Sequence, residues 1–201
     1  AKPSAATDQV KLILLDQESL DWASRNMGWA WPWPREAYAP LLDYLKRNGA
    51  KTAAFDVLYT EPSAYGVADD EAFGAAVGRF GHFAGAVFLG NQTEQATAWP
   101  EAAPVNPLEI RGLENWLAGN PAAAAAIVSP GAAFPVPEVA SNAAWLGNVS
   151  AAADADGIYR RALPFRTFAG RVLPTLGCAA WLAGLDASGA KADIRPRELR
   201  L

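Results

Sequence analysis

Three short aliphatic runs in the first ninety residues constrain the fold of this chain more than any other feature. They cover residues 10–15, 52–59 and 83–89, and segments with helical periodicity separate them. Nearly continuous apolar strands are typical of a sheet covered on both faces. The order β-α-β-α-β predicts a three-layer α/β fold with a mainly parallel sheet and right-handed crossovers.

A loop is expected from Asp16 to Pro34, and the two helical segments that come after it have recognisable ends. The first helix is expected to begin near residues 37–38, because Pro40 is tolerated only in the first turn, and to end at Gly49. For the second helix, Asp69 or Asp70 is the predicted N-cap.

The second half of the chain is less regular. Prolines throughout residues 91–137 predict a long irregular insertion with an alanine-rich turn or short helix at 121–128. A short helix is expected at 136–145. An antiparallel hairpin of residues 146–151 and 158–168 and a buried helix over 174–184 complete the prediction of a single domain over residues 1–201.

Composition excludes several classes of protein. A net charge of −4 and a pI near 5.0 argue against a nucleic-acid partner. The single cysteine, Cys178, excludes an internal disulfide and a cysteine-based zinc site, and we interpret it as a core residue. No apolar run reaches the roughly 18 residues of a membrane span. The start of the chain has no signal peptide and is interpreted as a mature or cut end.

The sequence carries no recognisable catalytic motif. A dinucleotide-binding G-x-G-x-x-G, a Walker loop, an H-E-x-x-H helix, an EF-hand loop and a G-x-S-x-G elbow are all missing. The only histidine, His82, is expected to be a turn residue with a satisfied hydrogen bond. We therefore predict a protein that is not an enzyme and that needs no cofactor.

Carboxylates follow two of the predicted strands. Asp16 follows the first strand, Asp56 lies within the second, and Glu61 comes just after it. Ligands of open α/β sheets bind beyond the carboxyl ends of the strands. Neighbouring buried carboxylates need a cation between them, and Arg35 is the candidate. Asp16, Arg35 and Asp56 thus predict either a structural cluster or a site for a polar ligand or divalent metal, with Asp16 and Asp56 as weak metal candidates.

Two further segments have open interpretations. The Trp29–Arg35 segment places Trp31 and Trp33 beside prolines, which predicts an extended aromatic wall for a ligand or a packed lid over the sheet. The Asp154-Ala-Asp156-Gly157 sequence resembles part of a calcium loop but is also typical of a hairpin turn.

An ordered set of motifs resembles the type-two CHASE domain (CHASE-2). The set includes Leu-Leu-Asp16, Trp31-Pro-Trp-Pro-Arg35 and Phe55-Asp-Val-Leu-Tyr-Thr-Glu-Pro62, and continues with Asp69-Asp-Glu-Ala-Phe73, Leu146-Gly-Asn148 and Asp154-x-Asp-Gly-x-x-Arg-Arg161. The resemblance spans about Val10 to Leu182. Carried over position by position, it marks these residues: Asp16, Trp31, Pro32, Pro34, Arg35, Asp56, Glu61, Pro62, Asp70, Asp156, Gly157 and Arg160.

The resemblance implies the periplasmic, extracytoplasmic sensor domain of an inner-membrane receptor. Such receptors carry a nucleotide cyclase, a histidine kinase or a serine/threonine kinase as their output domain. We expect a homodimer in the full-length receptor, and a small molecule, ion or protein as its signal. Compared with the family pattern, we expect that C-terminal strands and the membrane helices lie outside this chain, which leaves one sheet edge open to pairing.

The predicted ligand site combines the strand-end residues with the marked motifs. Its residues are Asp16, Trp31, Trp33, Arg35, Asp56, Glu61, Asp70, Asp156 and Arg160. Two alternatives stay open: a metal-dependent hydrolase built on Asp16 and Asp56, and a protein-interaction scaffold that uses residues 91–137.

Overall fold

The computed structural model describes most of the 201 residues in two compact units, Ala1–Pro34 and Arg35–Leu201. The described residues are 9–90, 96–106, 108–151, 153–154, 156–160, 163–185, 191–195 and 198–200, the last two ranges as backbone only. None of the helices in this part of the chain combines the length and the hydrophobicity that a membrane span requires.

The first unit contains a helix where a loop was expected. Helix α1 (Gln17–Met27) begins at its N-cap Asp16 and ends at Gly28, whose φ of 70° is left-handed. Residues 10–15 form no strand, and Val10 and Leu12 are 72% and 80% exposed. The predicted first strand is therefore wrong, because β propensity forms a strand only where a partner strand satisfies the backbone.

The second unit is a mixed α/β structure that begins with a 3-10 turn at Arg35–Tyr38. Its helices are α2 (Ala39–Arg47), α3 (Val67–Phe80), α4 (Leu113–Ala118), α5 (Pro121–Ile127), α6 (Pro137–Ala140) and α7 (Leu176–Gly184). Its strands are β1 (Ala53–Phe55), β2 (Phe83–Gly90), β3 (Glu109–Arg111), β4 (Val128–Ser129), β5 (Gly131–Ala133), β6 (Trp145–Asn148), β7 (Phe165–Phe168), β8 (Arg171–Pro174), β9 (Lys191–Arg195) and β10 (Glu198–Arg200).

Strand β2 is the centre of the main sheet. It pairs in parallel with β1 and with β6, and its last three residues pair antiparallel with β5. Successive residues of a strand point to opposite faces. Phe83 contacts Phe73 of α3, whereas Ala84 belongs to the core cluster that contains Ala179 and Leu182 of α7. The parallel β1–β2 pair and the mixed α/β character of the fold confirm those parts of the prediction.

The hairpin prediction is wrong in its pairing. Residues 146–148 belong to β6, which pairs with the central strand β2, and the antiparallel hairpin is formed by β7 and β8. Its two-residue turn, Ala169-Gly170, has positive φ at both positions, as a type I′ turn requires. Hydrophobic runs predict strands but do not identify their partners.

The helix predictions have different outcomes. Helices α2 and α5 begin and end close to the predicted residues, with a proline in the first turn of each. Helix α7 is also found, but its Trp181 is 52% exposed, so this helix is not buried all round. The helix expected at 136–145 is only the four-residue α6, since β6 begins at Trp145.

Helix α7 lies unusually close to β6 at Gly147. A Cβ atom added to Gly147 would lie 2.5 Å from Cα and 2.9 Å from N of Leu176. Only glycine permits the backbone of α7 to approach at this position. The contact fixes the helix on the same face of the sheet as Ala84 and Trp145.

Candidate functional site

A buried arginine lies just after the tryptophan-proline segment. The Arg35 guanidinium donates to the Asp70 carboxylate and to the Glu61 backbone carbonyl. It also lies 5.1 Å from the centre of the Tyr59 ring, within the range of a cation–π contact. The side chains of Arg35 and Asp70 are only 11% and 2% exposed, so this is a buried ion pair.

Asp69 and Asp70 bind backbone groups from other segments. The Asp69 carboxylate accepts from the N–H groups of Arg35 and Glu36, both at 2.8 Å, and from the Ser63 hydroxyl. The second oxygen of Asp70 accepts from the Ser63 N–H at 2.9 Å. The predicted N-cap role of these aspartates is wrong, because Gly66 occupies the cap and both carboxylates bind outside the helix.

We call this network the Arg35 cluster; its members are Arg35, Tyr59, the Glu61 carbonyl, Ser63, Asp69 and Asp70. It joins three segments: the turn before α2, the loop after β1 and the first turn of α3. Each charged side chain in it has an opposite charge or several hydrogen bonds, which compensates the cost of its burial.

The electrostatics of the cluster favour an ionised Asp69. Burial raises the pKa of Asp69, but hydrogen bonds from Glu36, Ser63 and Arg35 outweigh it and bring the pKa below its usual value. Burial raises the pKa of Tyr59 far above its ordinary value, so this phenol stays neutral. Its hydroxyl is buried and has no hydrogen-bond partner among the described residues.

A groove of about 400 Å³ lies beside the loop that follows β1. Its walls come from this loop, from β5 and the connection that leads from it into α6, and from the irregular segment around residue 100. Among the described lining residues, Thr60 alone has a side-chain hydroxyl, and the others are alanine, proline, valine and phenylalanine. The lining residues are Thr60, Pro62, Ala96, Pro100, Ala102, Ala103, Ala132, Ala133, Phe134, Pro135, Val136, Pro137 and Ala140.

The loop after β1 connects the groove to the Arg35 cluster. Thr60 and Pro62 line the groove, while the carbonyl of Glu61 between them accepts from the Arg35 guanidinium. The Glu61 carbonyl thus ties this loop to Arg35. The position of the groove, beyond the carboxyl end of a parallel strand, is the one that α/β sheets use for ligands.

The carboxylates that were predicted to meet at the strand ends, those of Asp16, Asp56 and Glu61, make no hydrogen bond or ion pair with Arg35 in the part of the chain that the structure describes. Asp16 follows no strand; it caps α1, accepting from the N–H of Ser19 at 2.9 Å and from its hydroxyl at 2.8 Å. These bonds lower the pKa of Asp16. Asp56 directly follows β1 and is exposed, as is the side chain of Glu61. The carboxylate on Arg35 belongs to Asp70, a residue that sequence reasoning placed in a helix cap.

The indole rings of the tryptophan-proline segment contact one another. The Trp33 ring lies 6.1 Å from that of Trp29 and 6.4 Å from that of Trp31. Trp31 is 53% exposed, and Trp33 is half-buried. These residues belong to the first unit, and their role as a ligand wall stays a prediction.

The Asp154–Arg160 segment forms a closed polar turn. The Gly157 N–H donates to the Asp154 carbonyl at 2.8 Å, and Gly157 has a φ of 79°. The Arg160 guanidinium lies 2.7 Å from the Asp156 carboxylate and 3.5 Å from that of Asp154. The arginine thus neutralises the carboxylates that a calcium ion would use. Arg161 lies outside the described residues.

His82 and Cys178, the remaining side chains with possible chemical roles, have structural contacts. Nδ1 of His82 lies 3.0 Å from the carbonyl of Ala183, as expected for a satisfied turn histidine. Cys178 packs against the α7 core, and burial raises its pKa. Within the described ranges, no group of three or more histidine, cysteine or acidic side chains is arranged to hold a metal ion.

Sequence reasoning missed several residues of the cluster. Tyr59 and Ser63 come from the loop after β1 and Asp69 from α3, and no local pattern links these two segments to Arg35. The buried Asn106 was also missed; its side-chain amide bonds both the N–H and the carbonyl of Leu146 in β6, at 2.9 and 2.7 Å. The available signals were the adjacent aspartates in the first turn of a helix and the family motifs that contain Tyr59 and Asp69.

In α/β folds, a groove beyond the strand ends is a common position for a bound ligand. The family model of the CHASE2 domain matches residues 1–199, and the chain belongs to this family of extracytoplasmic sensory domains. Neither the comparison with curated proteins nor that with solved structures found a match. Family membership confirms the resemblance noted in the sequence, and three of its motifs meet in the Arg35 cluster.

Proposed function

We propose that this chain is the sensory domain of a bacterial transmembrane receptor and that its groove binds a small, mainly apolar signal molecule. The observation that carries the proposal is the groove of about 400 Å³ at the end of β1. Its volume lies within the range of roughly 300–1,000 Å³ typical of small-molecule sites. Its alanine and proline side chains offer no hydrogen-bonding groups, which favours a mainly apolar ligand whose polar contacts are made by the backbone and Thr60.

The proposed signal passes from the groove to α3 through the Arg35 cluster. A ligand shifts a protein between two states only by binding one of them more tightly. A ligand in contact with Thr60 and Pro62 would favour one position of this loop. Because the Glu61 carbonyl is bound to Arg35, and Arg35 to Asp70, the loop position is coupled to the first turn of α3.

The receptor context of the proposal comes from the family. The domain would lie in the periplasm as part of an inner-membrane protein, and a homodimer would transmit occupancy to its output domain. That output domain would be a nucleotide cyclase, a histidine kinase or a serine/threonine kinase. The Asp16 and Asp56 hydrolase is not proposed further, since Asp16 caps a helix and Asp56 is exposed.

A substitution that fills the groove tests the binding site. Ala102 is an exposed lining residue, so Ala102→Trp would occupy the groove without entering the core. The matched control is Ala125→Trp, at an exposed alanine of α5 that does not line the groove. The neutral apolar dye Nile red serves as the probe on the purified chain. We expect the first variant to lose about tenfold or more of its affinity for the dye and the control to retain it.

The same two variants test the sensory role in the receptor that contains this domain. We expect Ala102→Trp to change the activity of the output domain, and Ala125→Trp to leave it unaltered. Equal dye affinity in both variants would show that the groove is not the binding site of the dye. A loss of dye binding with unchanged receptor output would leave a binding groove without the sensory role that we assign to it.

A further inference from the structure

Two arginines share one face of the β7–β8 hairpin. In this antiparallel pair Arg166 lies opposite Leu173, and Phe168 lies opposite Arg171. Directly opposed residues of a sheet point to the same face, as do residues two apart on one strand. Arg166 and Arg171 are therefore diagonal neighbours, and their Cβ atoms are expected about 7–8 Å apart or somewhat less.

Arg166 is half-buried and has no ion-pair partner among the residues that the structure describes. Its Nε atom is buried and makes no hydrogen bond, and no ion pair involves this guanidinium in the described part of the chain. Burial lowers its pKa from the ordinary arginine value. A buried charged donor without an acceptor is costly, because it loses hydration and gains no replacement.

Arg171 places a second positive charge at the exposed end of the same face. Its guanidinium carbon lies 5.0 Å from the centre of the Trp99 ring. Trp99 packs on Phe134 at 5.0 Å and on Phe168 at 6.4 Å. A cation–π contact leaves the N–H groups around the edge of the guanidinium able to donate to a further group.

We propose that Arg166 and Arg171 form a binding site for a small oxyanion, either a carboxylate or a phosphate. Both groups supply acceptor oxygens and a negative charge for the terminal N–H groups of the two arginines, since the buried Nε of Arg166 is out of reach of a ligand. Arginine suits this role because its planar N–H groups match the oxygens of carboxylates and phosphates. The site is separate from the groove and does not depend on the groove's sensory role.

Nuclear magnetic resonance of the arginine Nε–H groups tests the proposal directly. The purified ¹⁵N-labelled 201-residue chain is titrated with sodium acetate and with inorganic phosphate, and sodium chloride at matched ionic strength is the reference. The Arg166 signal is assigned by its loss in Arg166→Met. We expect a saturable shift of this signal with acetate or phosphate, and Arg171→Met to weaken the binding about tenfold. The probe that saturates at the lower concentration identifies the class of oxyanion.

A stability measurement separates a ligand site from a structural arginine. Without an oxyanion, we expect Arg166→Met to raise the midpoint of thermal unfolding, since it removes a desolvated charge with an unmade hydrogen bond. The variant should also lose the further rise that acetate or phosphate gives the parent chain. Arg79→Met, which removes an exposed arginine paired with Asp43, is the control of equal charge and should keep that rise.

Three results would overturn the proposal. The first is a drift of the Arg166 signal that does not saturate or that chloride reproduces. The second is a lower unfolding midpoint in Arg166→Met, which would show that the arginine stabilises the fold without a ligand. The third is an unchanged affinity in Arg171→Met, which does not depend on how well the Arg166 variant folds because Arg171 is exposed.

Discussion

Removing the Asp70 carboxylate should be among the most damaging single changes in this protein. Asp70→Ala leaves the Arg35 guanidinium, which is only 11% exposed, without its counter-charge. It also removes the acceptor of the Ser63 N–H. Two of the three segments joined by the Arg35 cluster, the turn before α2 and the loop after β1, thereby lose their bond to this residue of α3.

The magnitude follows from the burial of the pair. Breaking a buried ion pair by removing one partner typically costs about 3–5 kcal/mol, because the other charge stays buried. Arg35 keeps the Glu61 carbonyl and the Tyr59 ring, which places the expected loss near 3 kcal/mol. A domain has roughly 5–15 kcal/mol of stability in total. With a urea m-value of about 2 kcal/mol per molar, the midpoint should fall by about 1.5 M.

Equilibrium urea unfolding, followed by tryptophan fluorescence, measures the effect. Asp43→Ala is the control, because Asp43 and Arg79 form an exposed pair at 3.4 Å with side chains 43% and 54% exposed. Such pairs contribute less than about 1 kcal/mol. A third variant adds Arg35→Met to Asp70→Ala; removal of the stranded charge should recover part of the lost free energy of unfolding.

Two outcomes would refute this reasoning. Equal losses in the Asp70 and Asp43 variants would mean that burial does not strengthen the Arg35–Asp70 pair. A double variant less stable than the sum of its single changes would mean that the stranded guanidinium does not cause the loss. Circular dichroism of each folded variant checks that the secondary structure is retained.

Three further changes test other parts of the structure. The pKa of Asp69 is lowered in the folded state, so its contribution to stability is complete above about pH 4 and is lost as the pH falls further. Asp69→Asn should therefore flatten the acid dependence of the urea midpoint. An unchanged dependence on pH would contradict the hydrogen bonds assigned to Asp69. Gly147→Ala should lower the free energy of unfolding by about 1–3 kcal/mol through its clash with the α7 backbone, whereas Gly177→Ala, which meets nothing within 4 Å, should be neutral or slightly stabilising. Asn106→Ala should leave the backbone of Leu146 unpaired and accelerate the hydrogen exchange of its amide, and unchanged exchange would count against the bridging role.

Local patterns predicted α2, α5 and α7 well, but they did not predict α1 or α4. The proline in the first turn of α2 and the apolar spacing of α7 act over a few residues, and tertiary context left them unaltered. Strand assignment was less reliable. Residues 10–15 are as aliphatic as β2, yet only β2 has partners on both sides. The third parallel strand is β6, in a segment where the sequence predicted a hairpin.

The candidate site was only partly accessible from the sequence. The motif residues Arg35 and Asp70 were marked by family resemblance, but Asp16 and Asp56 were assigned as the carboxylates of the arginine. The structure instead joins Arg35 to Asp70, which lies 35 residues further along the chain. The groove could not be predicted, because its walls come from a loop, a short strand and the irregular segment, none of which carries a binding motif.

The sequence by itself determined most of the local elements and the family. Periodicity, prolines and caps act between neighbouring residues, and the ordered motifs can be recognised without knowing the fold. Only the tertiary structure decided which strands pair, which carboxylate meets Arg35 and where a groove lies. These depend on which distant backbone groups satisfy each other's hydrogen bonds and which charges lose their water together. Strand pairing and ion pairing therefore depend on the whole folded unit, since the energy of each contact depends on the residues around it.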